Sequence, residues 1–276
     1  MTYADLHLHS NHSDGSDTPE EVVAHAFKAG VGAMALTDHD TLSGVARAAQ
    51  AARDAGIGFL HGTEISARYE HREIHVIALG VQIDHPELCK ELEFYSQARN
   101  NRAAQIIEKL EANGIPFDHE LLQTIAGHAA IGRMHIAKTL TLQGIVKHPQ
   151  QAFDRFLNAR KPAYVPKLAM PMDEAIQVIH AAGGLAFVAH PGLGKTTRKL
   201  LPKLLTLPFD GIEAYHVSHT PGRTEEFLQL AQSGNLLVTG GSDCHGDIKG
   251  KREMGNVRMP LHHYETLCET LETMSG

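Results

Sequence analysis

Histidines and carboxylates recur in short clusters along this chain: His7-Leu-His9 near the start, then Asp38-His39, Glu64, His75, His190 and Asp243-Cys-His245. Imidazole nitrogen and carboxylate oxygen suit zinc, manganese or iron(II), and they disfavour copper(I) and iron–sulfur chemistry. His7 and His9 are two residues apart, so on a strand both rings face one way and can reach one ion. Glu64 can bridge two ions, which an imidazole cannot. A site of several metals with a shared carboxylate suits phosphoryl transfer, since such ions lower the pKa of water and clamp phosphate oxygens. Histidines number 20 against 25 lysines plus arginines, a histidine excess that these positions put to use.

Other positions carry two readings each. Asp14, in Ser13-Asp14-Gly15, is a ligand or an Asx-turn residue. Asp38 is a ligand or the acceptor that holds His39. His75 lies mid-strand, where a satisfied core histidine competes with a ligand. Phosphate needs cationic donors, and Arg133 with His135, in Gly132-Arg-Met-His, are candidates beside Lys167 and Lys195. Taken singly, each could be a solvated surface charge. His216, in Tyr215-His-Val-Ser-His219, is the candidate proton donor to a leaving group and a candidate substrate contact. Asp243, His216 and Arg133 thus form the candidate catalytic set. Gly192-Leu-Gly-Lys lacks the spacing of a P-loop.

The elements that must position these residues alternate between strand and helix. Strands are expected at 3–8, 32–36, 57–64, 73–81, 185–189, 210–214 and 235–240. Helices are expected at 18–29, 41–55, 171–182, 197–206, 222–233 and 261–273. Thr18-Pro-Glu-Glu has the pattern of an N-cap, a proline in the first turn and a capping box. His7 and His9, His39, Glu64, His190, and Asp243 with His245 fall at or just past strand ends. In a parallel barrel those ends gather on one face. Repeated βα units predict a parallel sheet covered by helices. Residues 86–113 read instead as one long polar helix, and no βα alternation is visible before about residue 165. The expected organisation is a barrel from 1–89 and 166–276, with 90–165 as an inserted helical subdomain covering the active site.

Composition narrows the partners. A formal charge of −7 argues against a large duplex-DNA footprint, which needs a basic face, and leaves a small phosphorylated ligand or a short single strand. With 42% hydrophobic and 21% charged residues the chain can bury a sizeable core. Three scattered cysteines with no Cys-x-x-Cys predict neither disulfides nor a thiolate zinc site. No basic-then-apolar leader and no long apolar run are present, so a cytoplasmic protein with no membrane contact is expected. Nothing in the sequence points to an obligate protein partner.

Asp5-Leu-His-Leu-His-Ser, Ser13-Asp-Gly, Thr37-Asp-His-Asp-Thr, Gly62-Thr-Glu, His190-Pro and Ser242-Asp-Cys-His, in that order, resemble the PHP (polymerase and histidinol phosphatase) family. The resemblance implies a distorted (β/α)7 barrel, an α/β fold, holding two or three divalent ions, Mn2+ first, with Zn2+ or Fe2+ also compatible. It implies one ion on His7, His9, Glu64 and Asp243, a second on Glu64, His75 and His190, and a third on Asp14, His39 and His245. The helical insert with Gly132-Arg-Met-His-Ile-Ala is similar to the branch of 3′,5′-nucleotide bisphosphate phosphatases and ribonuclease AM. That branch implies removal of the 3′-phosphate from a substrate such as adenosine 3′,5′-bisphosphate, with 5′-to-3′ trimming of short RNA by some members. Rival readings are a histidinol-phosphate phosphatase, a metal-dependent amidohydrolase, a polymerase-associated exonuclease module and a non-enzymatic sensor.

Overall fold

The structure, a computed structural model, describes residues 3–127, 129–247 and 253–275. The chain begins with β1 (Tyr3–Asp5), α1 (Pro19–Ala29), β2 (Ala33–Leu36), α2 (Val45–Ala55), β3 (Gly58–Tyr69) and β4 (Arg72–Leu79). Helices α3 (Pro86–Ala112), α4 (His119–Ala126), α5 (Arg133–Leu142) and α6 (Pro149–Ala152) follow, the last running into a π-helical turn at Phe153–Leu157. Then come β5 (Met170–Pro171), α7 (Met172–Ala181), β6 (Leu185–Val188), α8 (Gly194–Leu204), β7 (Gly211–His216), α9 (Pro221–Gly234), β8 (Leu237–Gly241), β9 (Met259–Pro260) and α10 (Leu261–Ser275).

Helix α1 starts as its sequence dictates. Thr18 Oγ1 accepts the Glu21 N–H at 3.3 Å, and Glu21 Oε2 accepts the Thr18 N–H at 2.8 Å. Gly30 ends the helix at φ 80°, a left-handed conformation that glycine takes without a Cβ clash.

The sheet runs β8-β7-β6-β4-β3-β2-β1, with β9 flanking β1 and β5 beside β3. The Leu6 N–H donates to Gly240 O at 2.9 Å and the Asp243 N–H to His7 O at 3.0 Å, so β8 meets β1 and the sheet closes on itself. The α/β barrel expected from the sequence is present, with one departure. β4 is antiparallel to both β3 and β6, because β3 and β4 form a hairpin rather than two βα units. Only Glu70 and His71 separate their last paired residues, Tyr69 and Arg72, and Glu70 takes φ 53° to make the turn.

Side chains sort by the period of two. Ala33 and Ala35 face an inner cluster with Leu6, Ile77, Leu79 and Phe187, which Leu267 of α10 joins. Met34 and Leu36 face the other way and pack with Val22, Ala26, Ala48 and Ala52 of α1 and α2. A separate apolar cluster joins Ala103, Ile106 and Leu110 of α3 to Leu122, Ile136, Leu140 and Phe156. Leu88 and Leu92, earlier on α3, pack with the barrel instead. One helix of about 40 Å therefore enters both clusters. No helix among the described residues is long and apolar enough to cross a membrane.

Candidate metal centre

Glu64 stands at the middle of the converging strand ends. Its Oε2 lies 3.2 Å from His7 Nε2, 3.4 Å from His9 Nε2 and 3.2 Å from His39 Nδ1. Its Oε1 lies 2.8 Å from His75 Nδ1 and 2.9 Å from His190 Nε2. Asp243 Oδ1 is 3.2 Å from His9 Nε2 and 3.6 Å from His7 Nε2. Asp14 Oδ1 is 3.2 Å from His245 Nε2 and 3.9 Å from His39 Nε2. The nine candidate ligands named from the sequence thus meet in one place. Donor atoms of His9, Asp14, His39 and His245 lie within 4.8 Å of one another, as do those of His7, His9 and Asp243, and of His39, Glu64 and His75.

Buried polar contacts hold the ligand-bearing segments. Asp5 accepts the Ser242 N–H at 2.9 Å and its hydroxyl at 2.6 Å, which ties the start of the chain to Asp243. Gly241 passes so close to His7 that a Cβ there would stand 2.4 Å from the His7 Cβ. Asp38 accepts from the Ser10 N–H at 2.7 Å, the Ser10 hydroxyl at 2.6 Å and the Ser13 hydroxyl at 2.5 Å. It therefore shapes the loop that carries Asp14. His190 and Asp243 take φ 27° and φ 51°. Non-glycine residues in such conformations cluster at functional sites.

A cleft opens beside the cluster, lined by Asp14, His39, His75, Arg99, Arg102, Arg133, His135 and Lys167. Arg99 pairs with Asp40, and Lys167 Nζ lies 2.8 Å from Glu73 Oε1. Arg102 spends its Nε–H on Val165 O at 3.0 Å, and Arg133 lies 5.6 Å from the Phe153 ring centre. Among the described residues neither Arg102 nor Arg133 is paired with a carboxylate. Burial, and then Arg133 nearby, push Arg102 down to about 10. The side chain of Lys195 lies outside those described.

The remaining candidates are His135 and His216. His135 Nδ1 accepts the Gly132 N–H at 3.1 Å. That bond caps the start of α5, and the ring lines the cleft beside Asp14 and Arg133. His216 does not line the cleft. Its Nδ1 stands 2.7 Å from Ser218 Oγ and its Nε2 3.6 Å from Asp243 Oδ2. Arg99, Arg102 and Glu213 lie outside every sequence motif singled out above. The two arginines are three apart on a polar helix and looked like its solvated face. Glu213 is one acid in the apolar run Gly211-Ile-Glu-Ala, and that lone acid was the available signal.

A family model of the PHP domain matches residues 5–127. The chain is 37% identical over 245 residues to a 5′-3′ exoribonuclease of Haemophilus influenzae, covering 87% of this chain and 89% of that one. It is 36% identical over 263 residues to a 3′,5′-nucleoside bisphosphate phosphatase of Chromobacterium violaceum, covering 93% of this chain and 92% of that one. The chain belongs to the PHP family. A solved structure from Bifidobacterium adolescentis, assigned as a metal-dependent phosphoesterase, superposes with a TM-score of 0.86 at 30% identity, over 95% of this chain and 94% of the other.

The site fits the divalent ions that the PHP family implies. His7 Nε2, both ring nitrogens of His9, Asp14 Oδ1, His39 Nδ1 and His216 Nε2 are buried without a hydrogen-bond partner. Many of them lie within ion-pair distance of a carboxylate, yet none has hydrogen-bond geometry. Buried ligand-type atoms that converge without hydrogen-bond partners suit a cation. Burial resists ionisation of Glu64, Asp14 and Asp243, but the surrounding histidines outweigh it and hold all three well below the usual carboxylate range. Burial pushes His39 down to about 3. It also opposes charge on His75, where Glu64 and Glu73 prevail and push the ring up to about 10. Metal binds ionised carboxylates and neutral imidazoles, so an ion at His75 would displace the proton that Glu64 and Glu73 stabilise.

Proposed function

We propose that this PHP chain is a phosphohydrolase that removes the 3′-phosphate from nucleoside 3′,5′-bisphosphates and trims short 5′-phosphorylated RNA by the same chemistry. The carrying observation is a buried histidine–carboxylate cluster beside a cleft where Arg102 and Arg133 lack carboxylate partners. A bisphosphate and an RNA 5′ end both present a scissile phosphoester with a second phosphate nearby. The relatives named a bisphosphate phosphatase and an exoribonuclease agree with that shared feature.

His7, His9, Glu64 and Asp243 would hold one ion, Glu64, His75 and His190 a second, and Asp14, His39 and His245 a third. Manganese leads by family, and zinc and iron(II) suit the same donors. Bound there, such ions lower the pKa of water and offset charge on phosphate oxygens. The remaining work falls to side chains. Arg133 and Arg102 bind the non-reacting phosphate through charge-assisted hydrogen bonds, with Arg99 and Lys167 beside them. His135 caps the start of α5 through Gly132 and lines the same cleft. His216, next to Asp243, is in this reading the proton source for the leaving oxygen. The helical segment 90–165 is an inserted subdomain that supplies the cation wall and covers the cluster. The three free cysteines suit a reducing, cytoplasmic setting.

The test is phosphate release by manganese-loaded protein from adenosine 3′,5′-bisphosphate and histidinol phosphate, and mononucleotide release from a short 5′-phosphorylated RNA, with Asp243→Asn as control. Cleavage of the bisphosphate at its 3′ bond, lost in the variant, supports the proposal. Turnover of histidinol phosphate alone would move the chain to another branch of the family.

A further inference from the structure

Beneath the ligands, β7 contributes a carboxylate with both oxygens committed to histidines of other strands. Glu213 is fully buried. Its Oε1 lies 2.9 Å from His7 Nδ1, and its Oε2 accepts the backbone N–H of His190 at 2.5 Å. These two histidines approach Glu64 from opposite sides, His7 at Oε2 and His190 at Oε1. In the ligand assignment above, His7 and His190 belong to two different ions that share Glu64.

We infer that Glu213 is a positioning residue that sets both metal positions at once, by fixing the tautomer of His7 and the backbone of His190. The inference rests on reading His7 and His190 as metal ligands. In the neutral, ion-binding ring the Glu213 carboxylate accepts the His7 proton on Nδ1. The lone pair is then on Nε2, the nitrogen that faces Glu64 and Asp243 and is buried without a hydrogen-bond partner. Without Glu213 the ring is free to take the other tautomer, which turns an N–H toward the ion. His190 has a different need. Its φ of 27° is one that L residues rarely adopt, and it turns the ring back toward Glu64. The bond from its N–H to Glu213 holds that conformation. A second pin follows two residues on, where the Gly192 N–H donates to His219 Nε2 at 3.0 Å. Because both Glu213 oxygens are engaged by these groups, the carboxylate acts through its neighbours and not as a ligand. Glutamine is the informative replacement: its single carbonyl oxygen can serve one donor, and its amide nitrogen must face the other.

The experiment titrates Mn2+ into the metal-free full chain by calorimetry, counts bound ions by mass spectrometry after dialysis, and repeats both for Glu213→Gln, Glu213→Ala and Asp14→Ala. Long-range 15N–1H spectra of the zinc-loaded wild type report the His7 tautomer independently of any variant. The expected result for Glu213→Gln is an unchanged metal-free melting curve and about 10- to 100-fold weaker binding at two positions. The position lost in Asp14→Ala should persist. Unchanged affinity at every position, or a His7 proton on Nε2 in the wild type, overturns the inference while the ligand assignment stands. Loss of one whole equivalent with the other untouched makes Glu213 a direct ligand and also overturns it. A wild type that binds no ion removes the ligand assignment itself, and the inference with it.

Discussion

Glu64 and His75 are not directly paired across the β3–β4 hairpin, since Glu64 sits opposite Ile77 and His75 opposite Ser66, yet Glu64 Oε1 stands 2.8 Å from His75 Nδ1. This diagonal contact places one carboxylate between His75 and His190 on one oxygen and His7, His9 and His39 on the other. Replacing Glu64 with glutamine keeps the volume and removes the charge that two ions would share. Direct ligands matter more than their outer-shell partners, whose loss costs about 10- to 100-fold. Glu64→Gln should therefore lower phosphohydrolase activity by more than about 100-fold and leave less than the full metal complement on mass spectrometry. A variant that keeps full metal content would remove Glu64 from the centre of the site.

The cation wall makes a separate prediction about affinity. Arg102 and Arg133 are near enough for Arg133 to help depress Arg102, and an anion placed between them relieves that repulsion. A hydrogen bond to a charged group contributes about 1.5–3 kcal/mol. Arg133→Ala should thus cut kcat/KM for adenosine 3′,5′-bisphosphate by about 10- to 100-fold, mainly through KM. Arg133→Lys should recover part of this, because the charge returns without the planar fork. Adenosine 3′-monophosphate lacks the second phosphate and should respond little to either change. Equal losses on both substrates would place Arg133 at the reacting phosphate instead.

How much of this was legible in the sequence depends on how local each feature is. Short apolar runs ending in Thr37-Asp-His and Ala189-His-Pro mark strand ends, and such ends meet on one face of a parallel barrel, so the convergence of His39 and His190 followed from position. The β3–β4 hairpin was hidden because Arg68-Tyr-Glu-His-Arg72 is polar and lacks the Asn-Gly or Asp-Gly signal, which suggested that β3 ended at Glu64. Asp38 was half visible: its burial beside His39 was foreseeable, but its bonds to Ser10 and Ser13 depend on how two loops cross. Glu213 and the pair Arg99 and Arg102 act through partners more than 20 residues away, and no spacing rule reaches that far.

Helix α1 offers a stability test remote from the chemistry. The reciprocal bonds of Thr18 and Glu21 satisfy backbone donors that the first turn leaves open. Removing such an N-cap hydroxyl costs about 0.5–2 kcal/mol. Thr18→Ala should lower the urea unfolding free energy by roughly that amount, with metal stoichiometry and turnover unchanged. An unaltered midpoint would mean that packing of Val22, Val23 and Ala26 alone sets the start of the helix.

The histidines outside the centre give a pH dependence with a definite sign. His263 of α10 lies 5.7 Å from the Tyr215 ring and 4.1 Å from the His262 ring, centre to centre. Burial, and then His262, push it from 6.5 down to about 4. Between those values the unfolded chain binds the proton that the folded chain refuses, so stability falls as pH drops from 6.5 toward 4. His180 has the opposite sign. Its bond to Asp210, with Nε2 2.8 Å from Oδ2, raises its pKa, so its contribution is complete below 6.5 and is lost as pH rises through the raised value. The carboxylates held low in the metal centre keep their contribution above the ordinary carboxylate value of 4.5 for Glu and 3.8 for Asp, so they do not shape the range from pH 5 to 6.5. Other depressed rings such as His135 and His219 act in the same direction as His263, and comparing the wild type with one variant cancels them. Urea midpoints of His263→Gln should therefore fall less steeply than those of the wild type between pH 6.5 and 5, while His180→Gln should be flatter above pH 6.5. Parallel pH profiles for wild type and His263→Gln would show that His263 takes up its proton equally well in the folded chain.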